Sequence, residues 1–141
     1  MKPFIYALTV RQPWAELIVS GQKTVENRSR PTKIRGWVAI HASKTVSADD
    51  RRLCEDFGCD LDAFPLGHVV GFANIVDCVS DIANCRAGDE DWFNGPYGYL
   101  IGGAIWWDGP AIKGSLGFWK LPMSDNMPKR VLKVSERADR P

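Results

Sequence analysis

Residues 4–28, FIYALTVRQPWAELIVSGQKTVENR, hold a strand, a turn, a helix and the start of a second strand. Phe4, Tyr6, Leu8 and Val10 alternate with their neighbours at the two-residue period of a strand. Pro13 suits the first turn of a helix, and Trp14, Leu17 and Ile18 recur at helical spacing. Gly21 after Ser20 reads as the helix C-terminal cap. The helix therefore has about two turns and lies tight against the strand before it. Residues 25–27 read as a second short strand, followed by a basic loop over 29–35 that contains Pro31.

Downstream, residues 37–42 form a strand on which Trp37, Ala39 and His41 share a face. Ser47 with Asp50 resembles a capping box and opens a helix to about Phe57. Gly58, Asp60, Asp62 and Pro65 mark a loop. Residues 69–79 read as a long strand with Val70, Phe72, Val76 and Cys78 on one side. Residues 80–95 are polar and acidic, a loop with one helical turn. Residues 99–107 are a strand whose Gly102 and Gly103 permit a bulge or bend. A turn over 108–110 leads to a last strand over 117–121.

There is no βαβ rhythm and no internal repeat. Short or bent strands with two or three helices predict an α+β fold, a small curved sheet or β-barrel of about five to six strands. Residues 1–122 form a single domain and 123–141 a polar tail. In that tail Lys129, Arg130, Lys133, Arg137 and Arg140 outnumber Asp125, Glu136 and Asp139. A solvated tail is the default for such a segment, with a nucleic-acid arm as the alternative.

Eighteen Lys and Arg against seventeen Asp and Glu leave a net charge of +1, which excludes a protein that holds nucleic acid by bulk positive charge. The charge is segregated. Residues 23–44 carry a local +5 and residues 49–62 a local −4. Cys54, Cys59, Cys78 and Cys85 contain no C-x-x-C pair, and His41 and His68 are the only histidines. No metal is expected from that spacing, and the cysteines read as free thiols of a reducing cytosol. No apolar run reaches membrane-spanning length, and the run after Lys2 lacks a cleavage site, so a cytoplasmic protein is expected. Walker loops, G-x-G-x-x-G and a Ser-His-Asp order are absent.

The basic segment is interleaved with Trp14, Trp37 and His41, a mixture suited to phosphate contact and base stacking. Lys23 follows the helix cap and can enter a cleft. If buried, it loses basicity unless Glu26 pairs with it. It can then donate to a base carbonyl or phosphate, or act as a general base when neutral, with Glu26 accepting from a base amino group or positioning a water. The alternative is that Lys23, Glu26 and Arg28 form ion pairs that merely fix the loop. Arg11 and Gln12 precede the Pro13 turn, where helix-start amides favour an anion; pairing of Arg11 with an acid and capping by Gln12 is the competing reading. Trp14 is core or stacking platform. His41 is a satisfied core histidine or a general acid/base. Ser43 and Lys44 are phosphate contacts or a surface turn. Trp106 and Trp107 face opposite ways, so one is buried. The acidic run Asp89-Glu90-Asp91 can hold a divalent ion or simply be solvated.

Six stretches carry a resemblance: ALTVRQPWA (7–15) with GQKTVENR (21–28), RG and IHAS (35–36, 40–43), and GHVVGFANIVDC (67–78) with KGSLGFW (113–119). Together they resemble the ASCH (activating-signal-cointegrator homology) domain, a relative of the PUA RNA-binding fold. The resemblance implies a PUA-like β-barrel flanked by two or three helices, with a cleft beside the G-x-K-T-x-E-x-R segment. It implies RNA, a nucleotide or a nucleoside as partner, without membrane attachment or cofactor. The expected binding residues are Arg11, Gln12, Pro13, Trp14, Lys23, Thr24, Glu26, Arg28, Arg30, His41, Ser43 and Lys44. One branch of the family hydrolyses N4-acetylcytidine with a Lys, a Thr and a Glu. Its Lys matches Lys23, but its Thr falls on Glu26, and Thr24 faces the other side of an extended strand. The branch's Glu has no motif match here, although Glu90 lies in its region. Single-stranded or modified RNA binding is thus the first expectation. An N4-acylcytidine amidohydrolase or ribonuclease using Lys23 and Glu26 is the second, and a protein-interaction module using the acidic helix the third.

Overall fold

A computed structural model describes residues 3–138, with side chains through residue 133. The strands are β1 (Phe4–Val10), β2 (Val25–Arg28), β3 (Gly36–Ala42), β4 (Val69–Val79), β5 (Tyr97–Trp106) and β6 (Phe118–Pro122). The helices are α1 (Trp14–Val19), α2 (Ala48–Asp56) and α3 (Lys129–Ala138). The loop between β4 and β5 holds two 3-10 turns, at Ile82–Asn84 and Asp89–Asp91. Arg137 and Glu136 of the basic C-terminal segment lie where only the backbone is described, and Lys2, Asp139 and Arg140 lie outside the described residues.

All six strands join one mixed sheet in the order β2-β5-β4-β3-β1-β6. β1 and β3 run parallel, so the chain does contain one parallel crossover, through α1 and β2, where the sequence showed no βαβ rhythm. The disguise is physical: β2 interrupts the crossover and departs to the far edge of the sheet.

The sheet buries both faces. On one, Leu8, Val10, Val38, Ile40 and Ala73 pack under Ile18 and Val19 of α1. On the other, Ile5, Ala7, Ala39, Phe72 and Leu121 pack with Met127 and Val131. Gly71 lets α1 approach β4, because a Cβ there would lie 2.7 Å from Val19 Cγ1 and clash with the backbone oxygen of Ile105. Gly71→Ala is expected to cost about 1–3 kcal/mol of stability, since one obstacle is backbone and cannot rotate away. A shift in the urea midpoint measures it.

Three expectations need correcting. The sheet is not closed into a barrel: β2 pairs only with β5 and β6 only with β1, leaving two edges. Side chains span the gap instead, with Arg28 donating to Thr9 O (2.8 Å) and Tyr99 of β5 stacked on Phe118 of β6 at 6.0 Å. Second, Val70 does not share a side with Phe72. The β3–β4 register shifts between Ile40 and His41, so Val70 turns to the α1 face and Phe72 to the other. Third, Cys54 and Cys59 form a disulfide, while Cys78 and Cys85 are free. Gly58 (φ +74°) folds the chain back after α2 and brings their Cα atoms to 5.1 Å, within bridging range.

Candidate nucleic-acid interface

The gap between the sheet edges opens into a cleft of about 1110 Å³, lined by the end of β1, the turn after α1, β2 and the loop before β6. Gly21 (φ +85°) supplies the left-handed turn after α1, and Lys23 N donates to Leu17 O (2.8 Å). The chain therefore enters β2 with the Lys23 side chain turned inward and only 6% of the residue exposed.

Lys23 Nζ donates to Val25 O and stands 3.5 Å from Glu26 Oε1. Glu26, also buried, accepts from Arg28 through Nε (3.2 Å) and Nη2 (2.9 Å) at Oε2. Lys23, Glu26 and Arg28 are thus one chain of charges, with the carboxylate between two cations. Burial pushes the Lys23 amine below its ordinary 10.5, Glu26 pulls it part of the way back, and Arg28 lowers it further. A buried amine beside a carboxylate presents a donor and an acceptor together, the pairing that reads a base edge.

One wall carries Arg11, Pro13 and Trp14. Trp14 packs against the α1-side core and donates Nε1 to Asp50 Oδ1 at 3.1 Å. Arg11 Nε lies 2.8 Å from Asp50 Oδ2, an ion pair without hydrogen-bond alignment, and the Arg11 side chain is 54% exposed. Trp92 and the apolar side chains of Leu53, Phe57 and Leu116 line the cleft as well. Ser43 also lines the cleft, with its Oγ accepting from Thr45 N.

Other predicted residues lie elsewhere. Gln12 is fully buried; it donates to Pro65 O and accepts from Glu16 N, so it caps α1 and fills the place an anion would take. Thr24 does face the other side of β2, where its hydroxyl meets Asp89 Oδ1 at 2.7 Å. Asp89 also receives Arg86 at both carboxylate oxygens, and Glu90 accepts from Gly88 N. Asp89 and Glu90 are therefore engaged by protein groups, while Asp91 lines the cleft. Arg30 is exposed and outside the cleft lining, with its carbonyl accepting from Tyr99 Oη. The Lys44 stem lies against Gly67.

His41 is a core histidine. Ile112 O can only accept, so His41 Nε2–H donates to it (2.7 Å); Nδ1 of the neutral ring then accepts from the Thr9 hydroxyl (3.2 Å), whose oxygen accepts from Trp119 Nε1 (2.9 Å). The backbone of Gly114 covers this pair, since a Cβ there would lie 2.7 Å from both His41 Nδ1 and Thr9 Oγ1. Trp106 is 59% exposed, whereas Trp107 packs on Phe72; neither lines the cleft.

Sequence reasoning missed Asn27 and Trp92. Asn27 lies within the quoted motif, and its place between Glu26 and Arg28 was the available signal. Trp92 sits in an aperiodic loop far along the chain, which offers no local signal.

Among the described residues no helix is long and apolar enough to cross a membrane. The ASCH domain family model matches residues 8–101. Activating signal cointegrator 1 of Homo sapiens is 36% identical over 84 residues, and that of Mus musculus is 32% identical over 84 residues. Each alignment covers 53% of this chain but 14% of the relative's length. Two mutant forms of the ASCH protein from Zymomonas mobilis share the fold at 16% and 18% identity, with TM-scores of 0.52 and 0.54. They cover 94% and 93% of this chain, and 94% and 96% of the respective structures. With Lys23, Glu26 and Arg28 placed at one cleft, the family match over most of the chain decides the matter: this chain belongs to the ASCH domain family.

Proposed function

We propose that the cleft binds single-stranded RNA or a nucleotide, with Lys23 and Glu26 at the base edge and Arg11 at a phosphate. The observation that carries this reading is the buried Lys23–Glu26–Arg28 chain at the floor of a cleft walled by Trp14 and Trp92. The volume exceeds the usual 300–1,000 Å³ of a small-molecule site and leaves room for a nucleotide and its neighbours. The ASCH family's association with RNA supports the same reading. Arg28 is bound to Glu26 and Thr9 O, so it builds the site, whereas exposed Arg11 offers charge to a phosphate.

The test is a fluorescence-anisotropy titration of a labelled single-stranded RNA hexamer across a salt series. Affinity should fall linearly on logarithmic axes, and Arg11→Ala should weaken binding while reducing the slope by about 0.7, the value for one phosphate on a single strand. Absence of binding by the wild-type protein refutes the reading.

The depressed Lys23 pKa favours a second reading, hydrolysis of an acylated nucleoside or of RNA with Lys23 as general base. Incubation with N4-acetylcytidine and with labelled RNA tests it. Product must form with the wild type and be lost in Lys23→Ala.

A further inference from the structure

Resting on that RNA-binding reading, we infer that Trp92 is the platform on which one unpaired nucleobase stacks, and that Asn27 is the residue that positions it. Trp92 is half-buried, packs against the Val25, Val79 and Leu100 cluster, and lines the cleft. Lys23 Nζ stands 6.0 Å from the ring centroid, the outer limit of a cation–π contact, so the ammonium borders the ring without covering it. A base lying on the indole would bring its edge to Lys23 and Glu26. Trp14 is less suited, because its indole N–H is already bound to Asp50.

The loop carrying Trp92 has no regular structure on its C-terminal side, yet it is held from both flanks. Asn27 Nδ2 donates to Trp92 O (2.9 Å), and Asn27 Oδ1 accepts from Asn94 N (2.8 Å) and Gly95 N (3.1 Å). Asp89 O accepts from Trp92 N and Phe93 N, each at 2.9 Å. Phe93 packs against Gly98 and Val25, where a Cβ on Gly98 would lie 2.7 Å from the Phe93 ring. One amide side chain on β2 therefore satisfies three loop groups, and the same short strand supplies the charged edge-reader and the support for the stacking wall. Holding an aromatic in place before the ligand arrives removes an ordering cost from binding.

The experiment compares two labelled probes on the full chain: a mixed-sequence single-stranded RNA hexamer and the same backbone made of abasic units. The wild type should bind the base-bearing hexamer more tightly. Trp92→Ala should lose roughly tenfold on that hexamer and little on the abasic one, because stacking acts on bases and not on the backbone. Trp92→Phe should retain most of the affinity. Asn27→Ala should reproduce the Trp92→Ala pattern, with circular dichroism showing that it is folded. Equal binding of the RNA hexamer by wild type and Trp92→Ala overturns the platform while leaving RNA binding intact. Loss of both probes alike in Trp92→Ala also overturns it. Failure of the wild type to bind either probe overturns the RNA-binding reading and the platform with it.

Discussion

Glu26→Ala is expected to lower the free energy of unfolding by about 3–5 kcal/mol, the range for removing one partner of a buried ion pair. Lys23 is only 6% exposed, and Glu26 is its only acidic counter-charge among the described residues. Without that carboxylate, Lys23 must lose its proton or carry an uncompensated charge in the fold, while Arg28 keeps Thr9 O as a partner. Glu26→Gln should fall between, because an amide still accepts from Arg28 but supplies no charge. Urea titration at neutral pH measures both, and a loss under 1 kcal/mol for Glu26→Ala would show that water reaches the pair.

The same residues set a pH dependence. The folded-state pKa of Lys23 lies below 10.5, so between that value and 10.5 the unfolded chain binds more protons and stability rises with pH. Burial first, and nearby carboxylates with it, raise Cys85 above 9.0, and burial raises Tyr99 above 10.0; these two slope the other way. The difference between wild type and Lys23→Met isolates the lysine. That difference should shift in favour of Lys23→Met as pH falls from 10.5 through the folded pKa of Lys23.

Asp89→Ala is expected to cost about 3 kcal/mol at neutral pH, through loss of a buried, charge-assisted network. Asp89 is 2% exposed and accepts from Arg86 Nε (2.7 Å), Arg86 Nη2 (3.0 Å), Arg86 N (3.0 Å) and Thr24 Oγ1 (2.7 Å). Burial alone would raise its pKa, but the Arg86 and Thr24 hydrogen bonds outweigh it and hold the carboxyl below 3.8. Its stabilisation is therefore present above pH 3.8 and lost as pH falls through the lowered value. Thermal melts between pH 2 and 5 should show this acid limb in the wild type and a flatter one in Asp89→Ala.

Much of the fold was legible locally. The two-residue alternation over Phe4–Val10 became β1, the Pro13–Gly21 punctuation bounded α1, and Ser47 accepts from Asp50 N (3.0 Å) at the start of α2. That Thr24 points away from its neighbour Lys23 was legible too, since successive side chains of an extended stretch point opposite ways. These features depend on residues within a few positions of one another, and such short-range chemistry is written in order along the chain.

The open sheet was not legible, because closure depends on whether β2 and β6 pair across the gap or leave it to Arg28 and Tyr99. Nor was the shift that turns Val70 away from Phe72, which depends on the partner strand's register. Local order along the chain was enough for the strands and helices, the family motif and a lysine three residues before a carboxylate, with an inward turn of that lysine left as one of two readings. Tertiary contacts were needed to bring these groups to a cleft, to bury Gln12 and His41, and to add Trp92, more than sixty residues from Lys23, to the cleft lining. The physical reason is range: burial and backbone preference leave a local period, whereas strand order and loop docking are selected by contacts between residues that the sequence keeps far apart.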